Sequence, residues 1–160
     1  MEPVLEEFLN LLLESERGGV VALDSLATKV KNEELKHLLA TSREDESRAV
    51  RELEELIGEA GGVATQRVGP FAAKVAAAGS LSQQLKLLIH GEEWVARKVE
   101  EALTLTPTQG PIREYLQKMA RRHRFEVEWG RAELIRLMNS LELADASDQL
   151  PVEPLRRSGR

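Results

Sequence analysis

Apolar residues recur through the first thirty positions at alternating intervals of four and three: Leu5, Leu9 and Leu12, then Glu16 and Gly19, then Leu23, Leu26 and Val30. That interval holds one stripe of a helix against a partner. Pro3 suits the first helical turn, where its missing N–H costs nothing. The stretch LLLESERGGV, residues 11–20, predicts a core-facing helix whose stripe is interrupted by Glu16, while Glu14 points to solvent.

The same spacing returns three times. Asn32 is the predicted N-cap of a second helix whose stripe runs Leu35, Leu39, Ser42, Glu46, Ala49, Leu53, Leu56 and Ala60 until Gly61 and Gly62 stop it. Ser80 and Gln83 form a capping box for a third, with Leu81, Leu85, Leu88, Glu92, Val95, Val99 and then Ala102 or Leu103 on its stripe. Pro111 opens a fourth, carrying Ile112, Leu116, Met119, His123, Glu126, Gly130, Leu134, Leu137 and Leu141, with one extra residue inserted near Trp129. Each stripe has a carboxylate at mid-length, and the last adds a histidine.

The connections are unequal. Almost nothing separates helices one and two, TLTPTQG separates three and four, and about twenty residues link two to three. Two hairpins joined by a crossover follow, and the PFAAKVAAAG segment predicts a brief helix within that crossover. Residues 1–143 form one domain; from 144 the segment ADASDQLPVEPLRRSGR loses periodicity, gains prolines and predicts a loose tail. Leu9, Leu12 and Glu16 are spaced as Leu85, Leu88 and Glu92 are, which fits either two related hairpins or any pair of heptad helices.

Composition narrows the chemistry. The chain is 42% apolar, 31% charged and only 4% aromatic, the profile of an all-α protein rich in long helices. A formal charge of -5, with no basic stripe interleaved with aromatics, argues against nucleic acid as a partner. The absence of cysteine excludes disulfides, thiolate nucleophiles, Fe–S clusters and zinc ribbons. No apolar run approaches the roughly 18 residues of a membrane span, and the acidic start lacks a signal-peptide pattern; a cytoplasmic protein with no membrane partner is expected. No phosphate-binding glycine loop, nucleophile elbow or serine triad is present.

The interrupting polar residues share a level. Glu16 lies about 15 residues before the first hairpin turn and Glu46 about 14 after it, so at 1.5 Å per residue they face each other. Glu92 precedes the end of its helix by about 12 residues, and His123 and Glu126 follow the start of theirs by about 12 and 15. Four carboxylates and an imidazole at mid-bundle need compensation, because each buried charge costs several kcal/mol. Two divalent cations would balance four glutamates, and an oxygen-rich set with one imidazole suits iron or manganese better than copper or zinc. On this reading Glu16, Glu46, Glu92 and His123 are metal ligands, and Glu126 is a bridging or supporting carboxylate.

The paired hairpins, the long crossover and the mid-helix acids resemble the ferritin-like fold, an antiparallel four-helix bundle, over about residues 3 to 142. The di-iron members of that fold supply one glutamate from each of two helices and an E-x-x-H pair from each of the others. Glu16 and Glu92 match the single glutamates, and Glu46 the acid of a pair. The pattern is degenerate: Ala49 stands where the first pair would place a histidine, and the second reads H-R-F-E, in reverse order. The chain is similar to small bacterial ferritin-like domains that keep the scaffold with an altered ligand set. An intact site would imply oxygen or peroxide chemistry, iron oxidation or metal storage.

Other readings stand beside this one. The acids could pair with Arg17, Arg43, Arg97 or Arg122, or keep protons, in a non-catalytic scaffold or interaction bundle. A protomer whose helical face forms a homodimer is a third. Gly18 and Gly19 give room beside Glu16 or allow close helix approach. Trp94 and Trp129 are expected as packing anchors, His37 and His90 at the surface, and REDES and RKVEE as solvated helix faces.

Overall fold

The computed structural model describes residues 1–148, and its order is α1 (Pro3–Ala27), α2 (Glu33–Glu59), α3 (Phe71–Ala77), α4 (Leu81–Leu105) and α5 (Pro111–Asp148). Helices α1 and α2 form one hairpin and α4 and α5 the other, with α1 against α4 and α2 against α5 between them. The short α3 packs on α1 and α4.

Local chemistry sets the ends. Pro3 begins α1. The Asn32 side chain accepts from the Leu35 N–H at 2.9 Å, a cap of the kind worth about 1 kcal/mol. Gly61, at φ +77, closes α2: its N–H donates to the Gly58 carbonyl at 3.0 Å while the Gly62 N–H reaches Ile57 at 2.9 Å. Those paired bonds satisfy carbonyls that the helix leaves free, and the left-handed turn suits a residue without Cβ. Ser80 and Gln83 complete the reciprocal capping box of α4.

The crossover is strapped to α1 before it becomes helical. Asn10 donates to the Val63 carbonyl at 3.0 Å and accepts from the Thr65 N–H at 2.7 Å. Arg17 donates to the Thr65 and Arg67 carbonyls at 2.5 and 3.1 Å, and the Gly69 N–H donates to the Glu14 carbonyl at 2.9 Å. Side chains of α1 thus satisfy an extended backbone that has no ladder of its own.

Two apolar clusters fill the bundle on either side of its middle. One gathers Leu9, Leu12, Leu53, Ile57, Val99 and Leu116 with their neighbours. The other gathers Leu23, Leu26, Leu35, Leu39, Val75 and Leu85. Glu16, Glu46, His123 and Glu126 are buried between them, at 2%, 3%, 1% and 8% exposure.

Details of the stripes differ from expectation. Ile57 is fully buried where the spacing pointed to Leu56, which is half-buried; a strict heptad drifts about 20° per repeat on a straight helix, so the last turn selects a different residue. Glu14 does not point freely to solvent: its side chain is 17% exposed and pairs with Arg67 at 2.8 Å, because the crossover lies over it. Helix α5 continues to Asp148, past the expected break after Leu143; Ala144 and Ala146 favour helix, and the first proline comes only at 151. The rest of the expected tail, 149–160, lies outside the described residues.

Candidate metal centre

Helices α1, α2, α4 and α5 bring Glu16, Glu46, Glu92, His123 and Glu126 to one level between the apolar clusters. His123 is the hub. Its Nε2 lies 2.9 Å from Glu16 Oε1, and its Nδ1 is hydrogen-bonded to Glu92 and 3.4 Å from Glu126 Oε2. Three of these residues, Glu92, His123 and Glu126, present ligand atoms within 4.8 Å of one another. Glu16 and Glu46 border the group from the other hairpin.

Of the four arginines considered as partners, Arg122 enters the cluster. Its Nη2 donates to Glu16 Oε2 at 2.5 Å, and its Nη1 donates to the Asp45 carbonyl at 3.1 Å. Arg17 and Arg43 pair instead with Glu54 and Asp24, at 2.5 and 3.0 Å. Charges therefore alternate along the line Arg122, Glu16, His123, Glu92. The close approach of Arg122 Nη2 to His123 Nε2, 2.8 Å, follows from two donors sharing the Glu16 carboxylate.

Burial and charge divide the acids into two kinds. Burial would raise the Glu16 carboxyl, but Arg122 and His123 outweigh it and hold it below the ordinary range. Burial likewise opposes ionisation of Glu92, and the charge of His123 again wins. Glu46 has burial and the charges of Glu92, Glu16 and Glu126 all acting together, and is pushed well above the ordinary range. Burial and Glu92 raise Glu126 to about 9. For His123, burial favours the neutral ring, yet Glu16 and Glu92 carry it up to about 10. Without added cations two carboxylates thus face an arginine and a histidinium, while burial and like charge favour the protonated form of Glu46 and Glu126.

Glycine makes room for one of those acids. A Cβ on Gly19 would lie 2.0 Å from Glu46 Oε2, so α1 can pass over that carboxyl only without a side chain. Gly18 serves the close-packing role instead, facing the Gly69 carbonyl and Phe71 at 3.4 Å. Glu46 Oε2, Glu126 Oε2 and Arg122 Nε are buried without a hydrogen-bond partner, the last two 3.6 Å apart.

A cavity of about 390 Å³ leads from the surface between α1, α3 and α4 to this level. Leu11, Phe71, Leu87 and Trp94 line its walls, Lys74 and His90 its mouth, and Glu16, Glu46, Glu92 and His123 its floor. Sequence spacing gave no sign of it, since its shape depends on where the crossover folds back. His90 is exposed as expected, although it borders this opening, and His37 is exposed as well. Trp94 packs against the first apolar cluster and Trp129 against the second.

Two further residues escaped the spacing. Glu133 is 7% exposed and held by Arg136 at 2.6 Å. The Tyr115 hydroxyl donates to the Ala49 carbonyl at 3.3 Å, and burial together with the Glu16 charge raises its pKa.

Among the described residues no helix is long and apolar enough to cross a membrane. No curated protein matches the chain. A crystal structure described as ferritin like, diiron-carboxylate proteins from Bacillus anthracis str. Ames is similar in fold, with a TM-score of 0.70 and 23% identity, covering 83% of this chain and 94% of that one. The bundle is accordingly an all-α, ferritin-like one. Residues 2–133 match the model of the family described as a domain of unknown function, DUF6306, and the chain belongs to that family.

Proposed function

We propose that the bundle binds iron or manganese at its polar level, with Glu92, His123 and Glu126 as ligands and Glu16 and Glu46 supporting them from the other hairpin. The observation that carries this reading is Glu126 Oε2, buried within the Glu92, His123 and Glu126 group without a hydrogen bond, with only longer contacts of 3.4 Å to His123 Nδ1 and 3.6 Å to Arg122 Nε; Glu46 Oε2 is likewise buried without a bond. A buried polar atom left unpaired costs about 1–3 kcal/mol, and a divalent cation would supply the missing partner. Oxygen and nitrogen donors in this ratio suit iron or manganese. The diiron-carboxylate description of the similar structure supports iron. Such a metal would supply one-electron chemistry toward oxygen or peroxide, and the cavity between α1, α3 and α4 would admit it and small reactants.

The protein's own residues would work as follows. Glu126 would give up its proton and the His123 ring would release the one on Nδ1, the nitrogen between Glu92 and Glu126, while Nε2 keeps its bond to Glu16 and the apolar walls limit water. Loading with Fe2+ without oxygen, or with Mn2+, followed by elemental analysis and thermal melting, tests the proposal. Retained metal and a rise of about 5–10 °C at a hundredfold excess over Kd are expected. No retained metal and no shift would overturn it.

A specific observation favours a second reading, a metal-free scaffold: Arg122 and His123 already neutralise Glu16 and Glu92. On that reading Glu126→Ala changes stability and the metal content stays at zero in every variant.

A further inference from the structure

We propose that the Arg122 guanidinium is a built-in cation filling the α1–α2 side of the centre, so that the bundle takes one metal ion, on the α4–α5 side, and not two. The proposal rests on the metal reading for its stoichiometry; the role of Arg122 stands on geometry alone.

The guanidinium touches three helices. From α5 it donates to the Glu16 carboxylate on α1 at 2.5 Å and to the Asp45 carbonyl on α2 at 3.1 Å, and its Nε lies 3.6 Å from Glu126 Oε2. It thus lies among the acids of both hairpins, with its side chain only 20% exposed. A guanidinium holds its charge at any physiological pH, and its fork of donors fixes a carboxylate in place. Glu16 is engaged by a cation on each oxygen, Oε2 by Arg122 and Oε1 by His123, so its charge is already countered from within the chain.

The ligand supply divides in the same way. The group able to surround an ion, Glu92, His123 and Glu126, comes wholly from α4 and α5. On α2, Glu46 has no nitrogen ligand one turn on, where Ala49 stands. Charge agrees: four carboxylates less one guanidinium leave three negative charges, which one divalent ion and one proton cancel. A second divalent ion would leave a buried excess of positive charge.

Mn2+ titration of the full chain, followed by elemental analysis and electron paramagnetic resonance, reads the stoichiometry. Wild type should take one Mn2+ per chain with an isolated-ion spectrum, and Arg122→Ala should take a second. Arg122→Gln, which keeps length without charge, serves the same test if alanine prevents folding. Independently of metal, Arg122→Ala should melt lower than wild type, and methylguanidinium should restore most of the loss while leaving wild type unmoved. Two exchange-coupled Mn2+ ions in wild type would overturn the proposal, as would an Arg122→Ala protein that neither gains metal nor responds to methylguanidinium. Rescue by methylguanidinium with no Mn2+ uptake by wild type would overturn the metal reading and leave Arg122 as the resident cation.

Discussion

Gly19 on α1 and Glu46 on α2 are a matched pair: the carboxyl of one occupies the space where a side chain of the other would begin, with Oε2 at 2.0 Å from a Cβ built on Gly19. Gly19→Ala should therefore lower stability by about 1–3 kcal/mol, the usual cost of forcing atoms into a packed interior. In the double variant Gly19→Ala/Glu46→Ala the carboxyl is gone, and the loss should fall short of the sum of the single losses. Additive losses in denaturant melts would show that the two residues do not compete for this space.

Glu16 and Glu46 look alike in sequence and should behave oppositely when made neutral. Glu16 is ionised and holds both Arg122 and His123, so Glu16→Gln leaves the buried Arg122 without its carboxylate and His123 with Glu92 alone, and should cost about 3–5 kcal/mol. Glu46 is forced to keep a proton that the unfolded chain would release above its ordinary value of 4.5. Glu46→Gln removes that penalty and should raise the melting temperature of metal-free protein at pH 8. Equal losses from the two variants would contradict the division of the acids into two kinds.

Protonation makes a prediction for the metal-free wild type as well. Folded His123 keeps its proton up to about pH 10 against an ordinary value of 6.5, and Glu126 up to about 9 against 4.5. Between those limits the folded state binds more protons than the unfolded one, so stability falls as pH rises. Glu16 and Glu92, shifted downward, act the other way and lose their contribution in acid. Melting temperature should begin to decline above about pH 4.5, where Glu126 acts, and fall more steeply from about pH 6.5 to about pH 9, where His123 adds to it, with a shallower decline in Glu126→Gln. A flat profile across that window would contradict the raised values.

The cavity predicts a kinetic effect. Leu87 lines it more than a helical turn before Glu92. Leu87→Trp should slow the uptake of Mn2+ without lowering its final content. An unchanged stopped-flow uptake rate would mean that metal reaches the centre by another path.

Spacing alone revealed the stripe, its carboxylates and the caps at Asn32 and Ser80, because an apolar period of 3.5 leaves few alternatives for a polar residue on it. It did not reveal how Arg122 would be used. That residue lies one position off the stripe, and only its long side chain, turning inward, brings it to Glu16. Glu133 escaped for a related reason: past Trp129 the stripe slips, and burial passes to neighbours that the period does not mark. The role of Gly19 lay in between, since a glycine beside a placed carboxylate is visible in LLLESERGGV, but what fills its space comes from α2.

The division of the polar centre between hairpins limits what either can do alone. The α1–α2 hairpin brings Glu16 and Glu46 with no cation among the cluster residues, while the α4–α5 hairpin brings Glu92 and Glu126 together with Arg122 and His123. Each hairpin closes through local contacts, which form fast, but neither alone assembles the charge pattern. Held at high effective concentration by a crossover anchored on α1, the two halves meet as complementary surfaces. The full pattern of charges therefore exists only where the two hairpins are docked on each other.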